Sequence, residues 1–442
     1  MKLIYFALVA VLAAALVAAY LLKSQLWGST LQASVPRSDN VVVILIDTLR
    51  ADHLKLYDYD KETAPYITSL GERSKIFDTA ISSCSSTAPA TSSIFTSLLP
   101  SEHGVITGQV ATRRLLEKNP EMILNRIPES LETMPEYFKS RGYATFSVAD
   151  NLNIAPEMGF AQGFDHFRTF WNEGADHIEK TLKEWQPLLD SSKPYFLYIH
   201  FMDPHSPYLK RKPWFEPSKD KKQRTLNAYD SEISYVDATM QRLSEMFGWE
   251  ENALVVVLAD HGEEFWDHGD IGHGMTLYRE VIRVPFLFFH RSFDSGRIAP
   301  EVHTMDLMPT LADLLGFEKI SQWRGRSLVP LMEGAEQEAV AAFSQLLRRP
   351  EHLEPPKKSV VHEGLHLINT LEPESEKHEL YDLHDDPKQL SDLSQSYPAQ
   401  RDSLLRMIEA REQTLTHVET EETKIAVNDE TLRQLETLGY LK

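Results

Sequence analysis

A hydroxyl-rich segment of the chain combines residues that could carry out nucleophilic chemistry. Residues 84–91, CSSTAPAT, contain the only cysteine, Cys84, and stand directly before the apolar run SSIFTSLL. Pro89 is typical of the first turn of a helix, and Ser86 or Thr87 suits the N-cap position. A hydroxyl at a helix N-terminus faces the positive end of the helix dipole, which stabilises an alkoxide and an incoming anion. The segment therefore predicts a nucleophile, with Cys84 and Thr87 as the candidates.

Two other segments hold residues that could bind a metal ion. Asp47 stands in IDTLRADHL, and Asp260 and His261 stand in ADHGEEFWDHGDIGHG. Carboxylate and imidazole ligands together suit Zn²⁺ or Mn²⁺, whereas an all-oxygen site would suit Ca²⁺ better. The alternative is that each aspartate only caps a helix. Helix capping explains less well why Asp-His-Gly and Gly-His-Gly stand close together in this segment. Glycines at these positions let the backbone approach a ligand closely, which favours a binding site.

Several further histidines follow or lie within the predicted strands. His205 in HFMDPHSPY and His273 in GHG fall on loops, where both could hold a transferring anionic group or a second metal. His200 lies inside a predicted strand and is interpreted as a packed side chain. The sequence leaves the roles of His103 and His268 open.

The elements that must position these residues follow from the hydrophobic pattern. Continuous apolar runs predict strands buried on both faces, and helical patterns over residues 127–142, 226–248 and 305–316 separate them. This alternation predicts an α/β fold with a mainly parallel sheet flanked by helices, whose ligand crevice lies at the carboxyl ends of the strands. Acidic residues gathered at that edge would repel one another unless a cation bound there. The runs are residues 41–47, 143–150, 195–203, 253–260 and 284–290.

The pattern changes after about residue 335. Two short strands around a polar turn are predicted in residues 364–387, and a helix is predicted in residues 396–415. We therefore expect a catalytic domain over residues 37–335 and a smaller C-terminal α+β subdomain with an acidic tail over residues 336–442. Residues 1–36 form a membrane anchor, or a signal peptide, and a linker.

The N-terminal segment bears on location, and the overall charge bears on partners. Residues 3–22 are uncharged and long enough to span a bilayer core of about 30 Å as a transmembrane helix, with a cleaved signal peptide as the alternative. Either interpretation places the domain outside the cytoplasm, in the periplasm or at the cell surface.

The net charge of -20 excludes nucleic acid as a partner. A single cysteine cannot form an internal disulfide.

A set of motifs in one order carries a family resemblance. They include IDTLRADHLKLYDY, TAPATSSIFTSLLPSEHGV, FLYIHFMDPHSPY, LADHGEEFWDHGDIGHGMTLYREVIRVPFLF, MDLMPTLADLLG, GRSLVPL and HELYDLHDDP. From about residue 40 to the C-terminus the chain resembles the sulfatase family of the alkaline phosphatase superfamily. The resemblance implies an alkaline-phosphatase-like fold and one or two divalent metal ions.

The resemblance also implies which residue attacks. Sulfatases carry C-x-P-S-R, whose cysteine is converted to a formylglycine nucleophile. Counting back from His103 aligns Pro89 with the motif proline, Thr87 with the cysteine and Thr91 with the arginine. Cys84 stands three residues too early. Thr87 is therefore the expected nucleophile, as in the related phosphoethanolamine and phosphoglycerol transferases.

The same resemblance implies the roles of the other site residues. Thr48 stands where sulfatases usually have a second acid, which favours Zn²⁺ or Mn²⁺ over Ca²⁺. Arg50 lies in the same motif without an assigned role. The remaining roles are metal binding by Asp47, Thr87, Asp260 and His261, and substrate or second-metal binding by His205 and His273.

We expect a membrane-anchored metal-dependent hydrolase or transferase that acts on an anionic ester, carried on a lipid or a glycan. Phosphate esters are favoured over sulfate esters because a formylglycine cysteine is missing. Hydrolysis of sulfate esters through an unmodified threonine is one alternative. A non-catalytic ligand-binding protein on the same fold is the other.

Overall fold

The structure is a computed structural model that describes residues 34–109, 126–189, 193–335, 338–347, 354–372 and 375–416. The predicted anchor, residues 3–22, and the C-terminal acidic tail lie outside these ranges. Within the described ranges, no helix is both long and apolar enough to cross a membrane.

Every predicted apolar run contributes a strand to one central sheet of eight strands. The strands, in chain order, are β1 (Asn40–Ile46), β2 (Lys75–Phe77), β3 (Ala80–Ile81), β4 (Ala144–Ala149), β5 (His166–Thr169), β6 (Tyr195–Phe201), β7 (Ala253–Leu258), β8 (Glu264–Phe265), β9 (Ile271–Gly272), β10 (Arg283–Val284), β11 (Phe286–Phe289), β12 (Gly296–Ile298), β13 (Val302–His303), β14 (Ala342–Leu346), β15 (Lys357–His362), β16 (Leu365–Leu371) and β17 (Glu376–Asp382). The central sheet has the order β12-β2-β11-β7-β1-β6-β4-β5. Strands β1, β6 and β7 at its centre are buried throughout apart from Asn40, as their continuous apolar sequences predict.

The sheet is mainly parallel, with one exception among the predicted strands. Strands β7, β1, β6, β4 and β5 run parallel, whereas β11 is antiparallel to both of its neighbours, β2 and β7. A parallel return would need a long crossover, usually a helix. The segment between β7 and β11 instead forms short elements around the site described below, so the expectation of a parallel strand at residues 284–290 is wrong.

Helices surround this sheet, and one of them is shorter than predicted. Thr133 and Glu136 form a capping box, in which the Thr133 N–H donates to Glu136 Oε2 over 2.9 Å, so the helix predicted over residues 127–142 begins only at Met134. Pro135 suits the first turn but not the interior of a longer helix. The helices are α1 (Pro65–Gly71), α2 (Thr87–Thr96), α3 (Pro100–His103), α4 (Met134–Ser140), α5 (Ala175–Leu189), α6 (Lys221–Phe247), α7 (Trp249–Asn252), α8 (Arg279–Ile282), α9 (Leu307–Leu314), α10 (Val329–Met332) and α11 (Pro398–Gln413).

The C-terminal part of the chain forms its own antiparallel sheet. Strands β14, β15, β16 and β17 pair in chain order, and α11 packs against β15 and β16 through Leu404 and Ile408. The two strands and the helix predicted here are confirmed. The domain boundary at residue 335 stays a prediction.

Candidate active site

Four neighbouring strands deliver polar side chains to one edge of the central sheet. Asp47 follows β1, Asp260 follows β7 and Asn151 follows β4, while His200 lies near the end of β6. Since β7, β1, β6 and β4 are parallel and adjacent, their carboxyl ends meet at the same edge. All four side chains are buried. The expectation that acidic residues converge there agrees with this arrangement.

Helix α2 brings Thr87 to the same point. Ser86 is the N-cap residue, without a side-chain capping bond, and Thr87 is the first helical residue. Thr87 Oγ1 lies 3.3 Å from His261 Nε2 and 3.5 Å from Asp47 Oδ2. The hydroxyl therefore stands at the positive end of a ten-residue helix and faces the predicted metal ligands.

Cys84 lies in different surroundings. Its side chain is buried in an apolar cluster that includes Ile81, Ala90, Leu277 and Val281. Cysteines buried among apolar groups in this way are structural and chemically inert. These surroundings favour Thr87 over Cys84 as the residue that meets a substrate.

Asp47 is held by hydrogen bonds to only one of its oxygens. Asp47 Oδ2 accepts from Asn151 Nδ2 over 2.6 Å and from His200 Nε2 over 3.1 Å. Because His200 Nε2 donates, its Nδ1 accepts from the Tyr198 hydroxyl, 2.8 Å away. Among the described residues, Asp47 Oδ1 is buried and has no hydrogen-bond partner. The lone pairs of this oxygen are thus available to a cation.

Asp260 is likewise held by hydrogen bonds to one of its two oxygens, and His261 by a hydrogen bond from one of its two ring nitrogens. Asp260 Oδ1 accepts from the His261 N–H over 2.9 Å and from the Thr48 N–H over 3.4 Å. Asp260 Oδ2 has no partner within the described part of the chain. His261 Nδ1 donates to the Gly262 carbonyl over 2.8 Å, which leaves the lone pair on Nε2. That nitrogen lies 3.5 Å from Asp260 Oδ2 and 3.8 Å from Asp47 Oδ1.

The electrostatics of these groups fit a bound cation. Burial and the neighbouring charge of Asp47 raise the pKa of Asp260 to about 7. Burial would also raise the pKa of Asp47, but the hydrogen bond from His200 and the electrostatic effect of the nearby His205 and His261 imidazoles bring it below its ordinary value. Two unpartnered carboxylate oxygens, an imidazole nitrogen and a hydroxyl converge, which is a donor set suited to Zn²⁺ or Mn²⁺.

The open side of the site carries two further histidines. The ring of His273 lies 4.4 Å from that of His261 and 5.0 Å from that of His205, measured between centroids. His273 Nδ1 donates to Glu263 Oε1 over 2.9 Å, and Glu263 is fully buried. His205 and His273 are only partly buried, so they stand between the buried ligands and solvent. All six predicted site residues therefore belong to one cluster.

Three residues of this cluster were missed from sequence. The interpretation of His200 as a packed side chain is correct about its burial but overlooks its contact with Asp47. His200 also places a ligand atom within 4.8 Å of those of Asp47 and Asp260. Asn151 and Glu263 carried no motif of their own, although each lies within three residues of a strand-end aspartate.

Of the polar residues left open by the sequence, Arg50 contacts this cluster by donating to the Glu263 carbonyl over 3.0 Å, whereas His103 and His268 bind other groups. His103 is buried and bonds to Ser93 Oγ over 3.0 Å, so it has a structural role. His268 pairs with Glu280 over 2.6 Å. Arg50 forms ion pairs with Asp52 and Asp267.

Comparisons with known proteins identify the family. A model of the sulfatase family matches residues 39–317, more than half of the chain, and a model described as N-sulphoglucosamine sulphohydrolase, C-terminal, matches residues 269–416. The chain therefore belongs to the sulfatase family of the alkaline phosphatase superfamily. The resemblance drawn from the motifs is confirmed.

Individual relatives are distant but cover most of the chain. The Delta 4,5-hexuronate-2-O-sulfatase of Bacteroides thetaiotaomicron is 21% identical, over 84% of this chain and 87% of its own. A solved 2-O GAG sulfatase is 20% identical with a TM-score of 0.68, over 85% of this chain and 93% of its own. The phosphonate monoester hydrolase of Agrobacterium radiobacter is 16% identical with a TM-score of 0.68, over 85% of this chain and 96% of its own. At these identities the solved structures establish the fold, and they include enzymes of both sulfur and phosphorus chemistry.

Proposed function

We propose that this protein is a metal-dependent phosphoester hydrolase or transferase in which Thr87 is the nucleophile. The observation that carries the proposal is the position of Thr87 Oγ1, 3.3 Å from His261 Nε2 and 3.5 Å from Asp47 Oδ2, at the N-terminus of α2. The only cysteine, by contrast, is buried in an apolar cluster. A threonine attacks as an ordinary alkoxide, the nucleophile of phosphoryl transfer through a covalent intermediate.

The proposed metal site consists of Asp47, Thr87, Asp260 and His261. A divalent ion held there would lower the pKa of the Thr87 hydroxyl and neutralise charge on the transferred group. The protein's own contribution is to hold these ligands fixed. Asn151 and His200 fix Asp47, and the Gly262 carbonyl fixes the His261 tautomer.

The remaining residues act on the substrate. The Thr87 hydroxyl first loses its proton to solvent water. Thr87 Oγ then forms a bond to phosphorus as the bond to the leaving oxygen breaks, and the leaving oxygen takes a proton from His205 or His273. In the second step the same histidine takes a proton from water or an acceptor alcohol, whose oxygen bonds to phosphorus as the bond to Thr87 Oγ breaks. Glu263 accepts from His273 Nδ1 and so orients the other ring nitrogen of His273.

The choice between phosphorus and sulfur is tested with a panel of aryl esters. We expect the full-length protein to cleave 4-nitrophenyl phosphate, bis(4-nitrophenyl) phosphate or 4-nitrophenyl phenylphosphonate with a kcat/KM at least about tenfold above that for 4-nitrophenyl sulfate, a difference of about 1.4 kcal/mol in transition-state binding. Hydrolysis of the sulfate ester as the faster reaction would establish the second candidate, a sulfatase that uses unmodified Thr87. The named sulfatase relatives favour that candidate.

We further propose that residues 3–22 anchor the protein and place its domain outside the cytoplasm. The support is the run of uncharged residues, which is long enough to span a bilayer. The expected result is that the intact chain stays in the membrane fraction after alkaline carbonate washing and is released by detergent. A mature N-terminus near Tyr20 in mass spectra of the purified protein would instead indicate a processed, secreted form.

A further inference from the structure

A second cleft with cationic walls lies outside the candidate active site. It encloses about 400 Å³, a volume within the range of small-molecule sites. Its lining comes from the segment after β1, the N-terminus of α6, the turn between β8 and β9, the segment around α8 and the loop after β17. None of the six proposed site residues lines this cleft. The cationic side chains of what we call the basic cleft are Arg50, Lys222, Arg279, Arg283 and Lys388.

The acidic residues of the basic cleft are already engaged. Asp52 and Asp267 both bind the guanidinium of Arg50, each over 2.8 Å. Glu280 pairs with His268 over 2.6 Å. The three carboxylates of the lining therefore form their ion pairs with Arg50 and His268, although the charge of Asp52 also acts on Arg279 and Arg283. With five cationic side chains and three carboxylates, the lining keeps two positive charges in excess, in a protein whose net charge is -20.

Two arginines remain without a carboxylate partner. No ion pair among the described residues includes Arg279 or Arg283. Among the residues that the structure describes, Arg283 donates to the backbone carbonyl of Asp78 alone, over 2.8 and 3.1 Å. Arg279 Nη1 donates to the Pro387 carbonyl over 3.4 Å, whereas Arg279 Nε is buried and has no hydrogen-bond partner in the described part of the chain. Burial and the nearby charge of Arg283 lower the pKa of the Arg279 guanidinium to about 10, and the charge of Asp52 offsets part of this effect.

An aromatic side chain completes the lining. Trp266 is partly buried, adopts a left-handed backbone conformation with φ of 59°, and has Lys222 Nζ 6.0 Å from its ring centroid. A flat aromatic wall beside unpaired guanidinium groups offers both an apolar surface and charge-assisted hydrogen bonds.

We propose that the basic cleft binds a small organic anion, in which a phosphate or sulfate group meets Arg279 and Arg283 and a ring-sized body lies against Trp266. An arginine fork matches the oxygens of such groups, and the unpartnered Arg279 Nε supplies a donor that is otherwise unsatisfied. The ligand can be a free metabolite-sized anion or the remote end of a larger substrate. This proposal does not depend on phosphoester chemistry at Thr87.

The test uses isothermal titration calorimetry with full-length Asp260→Asn protein, whose candidate metal site is impaired. Glucose 6-phosphate is the probe, and glucose is the neutral control. We expect glucose 6-phosphate to bind and glucose not to bind, with Arg279→Gln weakening affinity at least about tenfold because charge-assisted hydrogen bonds are lost. Binding should weaken as salt rises. If an oligosaccharide ester substrate competes with the probe, the cleft holds the remote end of the substrate.

Matched variants keep the result decisive. Lys222 and Lys388 are exposed, so Lys222→Gln/Lys388→Gln should fold normally and still bind less tightly. Arg73→Gln removes an arginine that pairs with Glu250 away from the cleft, and should bind like the parent. Absence of binding, equal binding of glucose, or affinity unchanged by both cleft variants would overturn the proposal. So would binding that is lost only in His205→Ala/His273→Ala, because the probe would then occupy the active site.

Discussion

Thr87→Ala is expected to abolish turnover of the best substrate, with kcat falling by on the order of 10⁴-fold or more, as when other enzymes lose their nucleophile. The reason is that Thr87 Oγ1 is the hydroxyl that faces His261 and Asp47 at the positive end of α2. Stability should change by only about 1 kcal/mol, the usual net contribution of a side-chain hydrogen bond, because the substitution removes only the long contacts of Thr87 Oγ1 with Asp47 and His261 and one methyl group. Steady-state kinetics with thermal melts of the same preparations measure both quantities.

Two matched variants separate the chemistry from the fold. Thr87→Ser keeps the hydroxyl and should retain part of the activity. Cys84→Ala should retain nearly all of it, since the thiol lies in the apolar cluster with Ile81 and Ala90. Mass spectra of a phosphate-treated protein should show a phosphoryl adduct on the peptide that contains Thr87. An inactive Cys84→Ala beside an active Thr87→Ala would refute the alignment and restore the cysteine as nucleophile.

The site residues that could be predicted from sequence patterns are mainly those that stand directly after a strand. Asp47 and Asp260 each terminate a continuous apolar run, and such runs pair as central parallel strands whose carboxyl ends coincide. The helix start near Thr87 followed from local signals, whereas the choice of Thr87 over Cys84 rested on the resemblance to the sulfatase motif, counted back from His103. These features depend on local patterns, which one sequence displays directly.

The residues that escaped prediction depend on how strands pair. His200 points to the site because β6 pairs with β1 so that His200 lies opposite Leu45, one strand away from Asp47. A shift of one residue would turn that side chain to the other face of the sheet. Asn151 depends in the same way on the register of β4 with β6. Sequence periodicity does not fix such registers, so His200 could be recognised as buried but not as a site residue.

The helix predicted over residues 127–142 illustrates a different limit. Its apolar spacing suits a helix throughout, but the capping box of Thr133 and Glu136 and the presence of Pro135 start the helix late. Both signals are visible in the sequence, and together they outweigh the periodicity. Antiparallel β11 is different, since its own residues do not distinguish it from a parallel strand.

Asp260→Asn is expected to remove the bound metal and to lower kcat/KM by about 10² to 10⁴-fold, because metal stabilisation of transition-state charge amounts to several kcal/mol. The substitution is nearly isosteric. An asparagine oxygen can still accept from the His261 and Thr48 N–H groups, while an amide replaces the unpartnered Oδ2. An amide nitrogen is a hydrogen-bond donor without a free lone pair, so it does not ligate a cation. The folded state should therefore survive while the metal site fails.

Metal content and thermal stability together decide this prediction. Elemental analysis of the native protein should find about one divalent ion per chain or more, and clearly less in Asp260→Asn. Added Zn²⁺ or Mn²⁺ should raise the melting temperature of the metal-stripped native protein by a few degrees, since saturation at about 100 times Kd contributes roughly 2.7 kcal/mol. The variant should show no such rise, because its buried carboxylate pair has lost one charge and one ligand.

Asp203 provides the matched control, because it resembles Asp260 in every respect except its neighbours. It follows β6 by two residues, is buried, and has a pKa raised to about 7 by burial despite its pairing with Arg211. One of its oxygens also lacks a hydrogen-bond partner among the described residues. Asp203→Asn should retain the metal and keep kcat/KM within about tenfold of the native value. Equal metal content in Asp260→Asn and the native protein would contradict the assignment of Asp260. Loss of metal in both variants would show that any buried strand-end carboxylate supports metal binding, and that convergence on Asp47 and His261 is not what selects the site.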